Sequence, residues 1–195
     1  VHLNEAMAIA KGLAKETRGY FLHPFDDPQV ICGQGTVGVE LYSHQPDVVL
    51  VPIGGGGLAS GIALAFAGTK TKVIGVQIEG ADAMNRVLRK RSPLKSINSG
   101  IADGVAVSTV GQLTHQICKY HLSDIVLVKY DDVIETMMGL ALNHKIIVEA
   151  AGAIAATALR QFQNMHSIAI VSGGNIELSL LLSLVSERNF QYVAS

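Results

Sequence analysis

Short runs of β-branched and other apolar residues alternate with segments whose apolar residues recur at helical spacing. The apolar runs are typical of strands and lie at 48–53, 73–78, 125–128 and 168–171. The predicted helices lie at 28–43, from the glycine loop to 67, and at 81–90, 112–120, 131–143, 149–161 and beyond 175. Strands that alternate with helices predict an α/β fold, with an open, mostly parallel twisted sheet and helices on both faces.

The amino-terminal segment predicts one more helix, a short strand and a turn. Asn4 would cap a helix over 5–15, because an asparagine side chain can accept from the first free amides of a helix. The aromatic segment 20–22 is a candidate for a short strand. In the turn that follows, Asp27 would cap the next helix and Pro28 would open it.

Composition and charge narrow the classes of function. The net charge is -1 at pH 7, so no broad basic surface is expected and nucleic-acid binding is not predicted. Cys32 and Cys118 lie far apart, which argues against a disulfide framework or a zinc site and favours a cytoplasmic protein. The apolar run 48–67 is interrupted by Pro52 and four glycines, so we do not predict a membrane span.

A run of four glycines carries the strongest local signal for chemistry. It lies between a predicted strand and a predicted helix, and with the residue after it comprises Gly54, Gly55, Gly56, Gly57 and Leu58. Consecutive glycines let several backbone N–H groups approach one anion, and the helix amino terminus adds partial positive charge. A tight turn needs fewer glycines, so the glycine loop, defined as these five residues, predicts a phosphate site.

The chemistry of the phosphate-bearing molecule stays open at this point. Gly54, Gly56 and Ala59 also satisfy the loose dinucleotide pattern, and Gln77 or Glu79 could be the ribose-binding position after the next strand. A nicotinamide or flavin enzyme is therefore an alternative interpretation.

A second glycine-rich segment follows the last predicted strand. It begins at Ser172 and continues with Gly173, Gly174 and Asn175. In a parallel sheet it would open at the same edge as the glycine loop, so the two could contact one ligand. Taken alone, Ser172 fits a turn or cap residue equally well.

Five segments in a fixed order resemble the fold type II pyridoxal-phosphate enzymes, and among them the threonine dehydratases and serine racemases. The segments are HPFDDPQVICGQGT at 23–36, PIGGGGL at 52–58, IADGVAV at 101–107, VEAAGA at 148–153 and VSGGN at 171–175. The resemblance spans most of the chain and displaces the dinucleotide interpretation. It implies pyridoxal 5'-phosphate as cofactor.

The resemblance also implies roles for individual residues. The glycine loop would hold the cofactor phosphate through backbone amides, and Ser172 would face the pyridine nitrogen with a neutral hydroxyl. Glu149 and Gly104 would line the same edge. Glu149 is explained equally well as a carboxylate at the start of a helix, and Gly104 is explained equally well as part of a capped turn.

The sequence departs from the family pattern in the residues that perform the reaction. It lacks the Ser-Phe-Lys-type segment with the Schiff-base lysine and the Ser-x-Gly-Asn-His segment that holds the substrate carboxylate, so no catalytic residue is assigned. The metal-binding acids of serine racemase correspond to Gln77 and Ala83, so no metal site is expected and a racemase is less favoured.

The resemblance implies the large domain of an ammonia-lyase that converts L-threonine or L-serine to a 2-oxo acid and ammonia. We expect 1–24 to be the end of a small domain, 25–195 to be the large cofactor-binding domain, and the amino-terminal part with the lysine to be missing. The expected partners are a small hydroxyamino acid and further copies of the chain. The alternatives are a serine racemase-like enzyme and a non-catalytic anion-binding remnant.

Overall fold

A computed structural model of the chain describes residues 3–94, 100–105, 107 and 109–187. Its strands are β1 Val48–Pro52, β2 Lys72–Ile78, β3 Asp124–Val128 and β4 Ser167–Ala169. Its α-helices are α1 Leu3–Thr17, α2 Pro28–Leu41, α3 Gly57–Ala65, α4 Ala83–Leu88, α5 Gln112–His121, α6 Tyr130–His144, α7 Ala150–Ala158 and α8 Leu178–Glu187. Single 3₁₀ turns span Tyr42–His44, Asp103–Val105 and Leu159–Phe162.

The four strands form one parallel sheet in the order β3-β2-β1-β4, which confirms the predicted α/β architecture. Val48 pairs with Lys72 on one side and with Ser167 on the other, and Ile74 pairs with Asp124. The chain proceeds outward from β1 to β2 and β3, and then returns to place β4 on the other side of β1. The carboxyl ends of β1 and β4 therefore flank the point at which the strand order reverses, where α/β proteins commonly bind ligands.

Strand β1 is the centre of the core because both of its faces are covered. Val48 and Leu50 pack in one apolar cluster, which includes α6 and α7, while Val49 and Val51 pack in a second cluster with α3. All four side chains are fully buried. Burial on both faces explains why the strand is a continuous apolar run without a polar alternation.

Helices α2 and α3 pack with their backbones in contact through a seam of small residues. A Cβ on Gly61 would lie 2.5 Å from the amide nitrogen of Gly35, and a Cβ on Gly38 would lie 2.6 Å from the side chain of Ala65. Only glycine at these positions allows so close an approach. This seam, formed by Gly35, Gly38 and Gly61, fixes the position of α3 and so of the loop at its amino terminus.

Two predictions for the amino-terminal segment are wrong. Helix α1 begins at Leu3, so Asn4 lies inside it and is not its cap. The segment 20–22 is not a strand, because the sheet edges in the described part of the chain belong to β3 and β4 and neither pairs with it. Tyr20 instead donates from Oη to Asp27 Oδ2 at 2.7 Å.

The predicted cap of α2 is confirmed, and the other elements differ from prediction mainly at their ends. Asp27 Oδ1 accepts from the amides of Gln29 and Val30, and Pro28 is the first residue of the helix. Helix α4 is shorter than predicted, and the end of α7 tightens into a 3₁₀ turn. Among the described residues, no helix combines the length and apolar character needed to cross a membrane.

Candidate functional site

The carboxyl ends of β1 and β4 open into a cavity of about 340 Å³. The two strand ends are held side by side, since the Ile170 amide donates to the Leu50 carbonyl at 2.9 Å. The eight residues predicted for the site all line this cavity: Gly54, Gly55, Gly56, Gly57, Leu58, Gly104, Glu149 and Ser172. The structure thus brings together residues that lie more than a hundred positions apart in the sequence.

The backbone amides of the glycine loop, from Gly54 to Leu58, have no hydrogen-bond acceptor within the part of the chain that the structure describes. Gly56 is the N-cap of α3 and has a φ of 95°, a left-handed conformation that favours glycine. The amino terminus of α3 adds partial positive charge at the same place, so the loop is suited to an oxyanion.

Neighbouring groups pack tightly against the loop and explain its glycines. A Cβ on Gly54 would lie 2.7 Å from the Gly104 carbonyl oxygen, and a Cβ on Gly55 would overlap the ring of Phe25. A Cβ on Gly56 would lie 2.9 Å from the end of the Met84 side chain. The loop is therefore fixed by its surroundings, which keeps its amides in place before a ligand arrives.

Glu149 and the segment after β4 form the opposite wall of the cavity. Glu149 is the N-cap residue of α7, and its amide donates to the Gly173 carbonyl at 3.1 Å. Its carboxylate occupies the space where a side chain on Gly173 would lie, and Gly173 has a φ of 24°. This contact positions the neighbouring Ser172, whose half-buried side chain lines the cavity.

Gly104 lies in the 3₁₀ turn Asp103–Val105, inside the stretch 91–111 between helices α4 and α5. It contacts both sides of the cavity, because its carbonyl faces Gly54 and a Cβ on it would lie 3.4 Å from Glu149 Oε1. Asn98 of this stretch lies outside the described residues. The turn joins the glycine loop to the Glu149 wall.

Gln77 was a candidate for ribose binding and is the counterpart of a metal-binding acid in serine racemase. Its side chain does not line the cavity. Its side chain is 1% exposed. Nε2 donates to the carbonyls of Ile53 and Ala81, and Oε1 accepts from the Asn85 amide at 2.9 Å. Gln77 is therefore a structural residue that connects β1 to the start of α4.

Sequence reasoning missed the contribution of the turn before α2. Pro24 and Phe25 line the cavity, together with Gln34 of α2. The signal available was the position of Phe25 between two turn prolines, where an aromatic residue needs a partner to pack against. That partner is the glycine loop, which a single sequence does not reveal.

Comparison with known proteins places this geometry in a family. Residues 2–173 match the family model described as pyridoxal-phosphate dependent enzyme. The chain belongs to this family. It is 39% identical over 189 residues to the catabolic L-threonine dehydratase TdcB of Escherichia coli, and that match covers 91% of this chain and 57% of the relative. The dinucleotide interpretation is set aside.

Solved structures of the family have the same fold. The processed form of threonine deaminase isoform 2 from Solanum lycopersicum is 33% identical, with a TM-score of 0.83 over 92% of this chain and 53% of that one. Maize serine racemase is 30% identical, with a TM-score of 0.84 over 96% of this chain and 62% of that one. The chain spans about half the length of the curated relatives that it matches.

The cavity fits the family's cofactor in size and in donors. Its volume lies in the range of small-molecule sites, which is roughly 300–1,000 Å³. The amides of the glycine loop suit a phosphate, and the hydroxyl of Ser172 can form a neutral hydrogen bond with a ring nitrogen. No Lys or Arg occurs among the described residues that line the cavity, so an anion there would depend on amides and the α3 terminus.

Proposed function

We propose that this chain forms the cofactor-binding large domain of an ammonia-lyase that acts on L-threonine and L-serine. The observation that carries the proposal is the convergence of the glycine loop, Gly104, Glu149 and Ser172 on one cavity. The E. coli relative named a catabolic L-threonine dehydratase and the tomato structure named a threonine deaminase support the substrate class.

In this proposal each wall of the cavity has a separate task. The amides of the glycine loop bind the cofactor phosphate, and Ser172 hydrogen-bonds the ring nitrogen. Pyridoxal phosphate, when bound, withdraws electrons from the α-carbon of the amino acid. Because Ser172 is neutral, it does not hold a proton on the ring nitrogen as a carboxylate would. A ring in that environment would stabilise negative charge less than a protonated ring would. It is therefore suited to a reaction in which a β-hydroxyl is lost rapidly.

The proposed reaction removes water from the hydroxyamino acid, and hydrolysis of the resulting enamine releases ammonia. L-threonine gives 2-oxobutanoate, and L-serine gives pyruvate. The sequence lacks the family's Ser-Phe-Lys-type segment, so the proposal assigns the Schiff-base lysine to residues outside this chain. The proposal places 1–24 at the end of a small domain and 25–195 in the large domain.

The proposal also includes a location and an assembly. The two free cysteines, one exposed and one buried, favour the cytoplasm. Assembly of identical chains follows from the resemblance to the family, and light scattering coupled to size exclusion would measure it.

The decisive experiment uses the protein as its source cell makes it. The intact mass is measured, the protein is treated with borohydride and digested, and the peptide that carries the cofactor is sequenced. We expect a chain longer than 195 residues, cofactor on a lysine outside this sequence, and formation of 2-oxobutanoate from L-threonine. A natural chain of 195 residues that binds phosphate but forms no 2-oxo acid would instead support an anion-binding remnant.

A serine racemase is the second candidate, since the maize serine racemase structure is similar over nearly the whole chain. Its prediction differs in the product. Incubation with L-serine would yield D-serine faster than pyruvate, which chiral chromatography of the reaction mixture would reveal. We favour the lyase because Gln77 stands where the resemblance expects a metal-binding acid, and its polar atoms are committed to backbone groups.

A further inference from the structure

The turn before α2 is connected to the glycine loop through helix α5. The carboxylate of Asp26 accepts three amides from the first turn of α5, those of Gln112, Leu113 and Thr114, at 3.0, 2.9 and 3.0 Å. The N-cap residue of α5 is Gly111, which has no side chain to supply a cap. Asp26 therefore caps a helix that begins 86 positions later in the chain.

The same helix contacts the glycine loop through one buried hydroxyl. Thr114 Oγ1 donates to the Gly55 carbonyl at 2.9 Å, and the threonine is fully buried. The peptide group between Gly55 and Gly56 is planar and trans, so its N–H points opposite to its carbonyl. Fixing the Gly55 carbonyl toward Thr114 therefore directs the Gly56 amide away from α5.

Phe25 supports the loop from the side next to Asp26. Its ring fills the space beside Gly55, and its backbone would lie 3.1 Å from a Cβ on Gly57. The His23 ring packs edge-on against the Phe25 ring at 4.6 Å, and His23 Nδ1 accepts from the Asp26 amide at 2.9 Å. One turn thus holds the loop directly through Phe25 and indirectly through Asp26 and α5.

We propose that Asp26 and Thr114 are positioning residues for phosphate recognition, which keep the glycine loop's amides in an anion-binding orientation. Neither residue lines the cavity, so any effect of either on a bound cofactor would act through the glycine loop. This proposal rests on the proposed function of the cavity. It adds that the strength of phosphate binding is set by a carboxylate outside the site.

Two matched pairs of variants test the proposal in the protein as its source cell makes it. Asp26→Ala removes the cap of α5, and Asp27→Ala is its control, because Asp27 caps α2 through Gln29 and does not contact α5. Thr114→Val removes the hydroxyl bond to Gly55 and keeps the side-chain shape. Its control is Thr157→Val, which removes another buried hydroxyl, one that donates to a carbonyl within α7.

The measurements are the dissociation constant of pyridoxal phosphate and the phosphorus NMR resonance of the bound cofactor. Thermal unfolding of each variant identifies the temperature at which all of them are folded. We expect Asp26→Ala and Thr114→Val to bind pyridoxal phosphate roughly tenfold more weakly, which corresponds to about 1.4 kcal/mol. Their phosphorus resonance should shift, whereas the two controls should retain the wild-type affinity and resonance.

The outcomes separate this proposal from the assignment of the cavity. If the unmodified chain binds pyridoxal phosphate but all four variants bind it equally well, the positioning role is wrong and the cavity assignment stands. The same holds if the controls weaken binding as much as the test variants, since a general loss of structure would then explain the effect. If the unmodified chain does not bind pyridoxal phosphate saturably, both proposals fail.

Discussion

The carboxylate of Asp26 occupies the space into which a side chain at Gly111 would project. Gly111 has a φ of -67°, which any residue adopts, so its backbone does not require glycine. The requirement is steric and comes from the residue that caps α5 across the structure. A cap contributed by a distant carboxylate thus selects a glycine at the N-cap position of its helix.

Replacement of Gly111 by alanine should therefore destabilise the chain through Asp26. We expect Gly111→Ala to lower the free energy of unfolding by roughly 1–3 kcal/mol, as overpacking of a filled space does. In the Asp26→Ala background the same replacement should cost much less, so a double-mutant cycle in urea should show coupling between the two sites.

Gly33→Ala is the control for this prediction. Gly33 lies on the exposed side of α2, where a Cβ would meet no atom within 4 Å. Alanine should stabilise the helix there by roughly 0.5–1 kcal/mol. Equal destabilisation by Gly111→Ala with and without Asp26 would show that the carboxylate is not the obstacle.

Gln77→Met should destabilise the chain far more than its modest change in shape suggests. The substitution removes the partners of the Ile53 and Ala81 carbonyls and of the Asn85 amide. Unpaired buried groups cost about 1–3 kcal/mol each, so we expect a loss of roughly 2–4 kcal/mol after partial relaxation. Urea unfolding followed by circular dichroism measures it.

The exposed Gln116 of α5 provides the comparison. Gln116→Met should change the free energy of unfolding by less than about 0.5 kcal/mol, as expected of surface positions. If Gln77→Met and Gln116→Met had similar effects, the buried hydrogen bonds of Gln77 would contribute little to stability.

The two cysteines should react very differently with alkylating reagents. Burial raises the pKa of the Cys118 thiol to about 11, although a contact with Ser60 Oγ at 3.6 Å opposes part of this rise. At pH 8 roughly one Cys118 in a thousand is then a thiolate, and the side chain is 1% exposed. We expect iodoacetamide to modify the exposed Cys32 alone in the native chain and both cysteines in denaturant. Peptide mass spectrometry distinguishes the two sites, and rapid native labelling of Cys118 would contradict this prediction.

The hydrogen bond from Tyr20 to Asp27 should make stability depend on pH at both extremes. Donation by Tyr20 lowers the pKa of Asp27, burial opposes this, and the amides of Gln29 and Val30 and the charge of His23 lower it further. The same hydrogen bond, followed by the charge of Asp27, raises the pKa of Tyr20. The contribution of Asp27 is present above the ordinary aspartate pKa and is lost as pH falls through the lowered value. The contribution of Tyr20 is present below the ordinary tyrosine pKa and is lost as pH rises through the raised value.

Tyr20→Phe tests this dependence. We expect the pKa of Asp27 to rise toward its ordinary value, measured by NMR titration of the carboxyl carbon. The stability difference between the variant and the unmodified chain should be largest near neutral pH and should shrink in acid. An unchanged pKa of Asp27 would show that the hydrogen bond is not formed in solution.

The parts of the fold that sequence predicted are those with local signals. The apolar runs placed all four strands within two residues of their observed ends. This signal is clearest for β1, which is buried on both faces and therefore has no polar interruption. The convergence of the glycine loop and Ser172 followed from two glycine-rich segments after parallel strands. Asp27 was predicted as a cap because Pro28 follows it directly.

The remaining features depend on contacts between distant positions. Asp26 has the same side chain as Asp27, but its partners begin at residue 112, and no local pattern connects the two segments. Phe25 could not be assigned to the cavity for the same reason. The strand predicted at 20–22 is wrong for a related reason. Its aromatic residues have high strand propensity, but a segment forms a strand only where a neighbouring strand can pair with it.

The seam between α2 and α3 limits how this part of the family can diverge. A side-chain core can absorb a substitution by changing rotamers, whereas two backbones in contact have no such freedom. A larger residue at Gly61 would have to displace α2, and with it the turn that carries Phe25 and Asp26. We therefore expect substitutions at this contact to be tolerated only when α2 and α3 change together, whereas residues on the surrounding surface can vary independently.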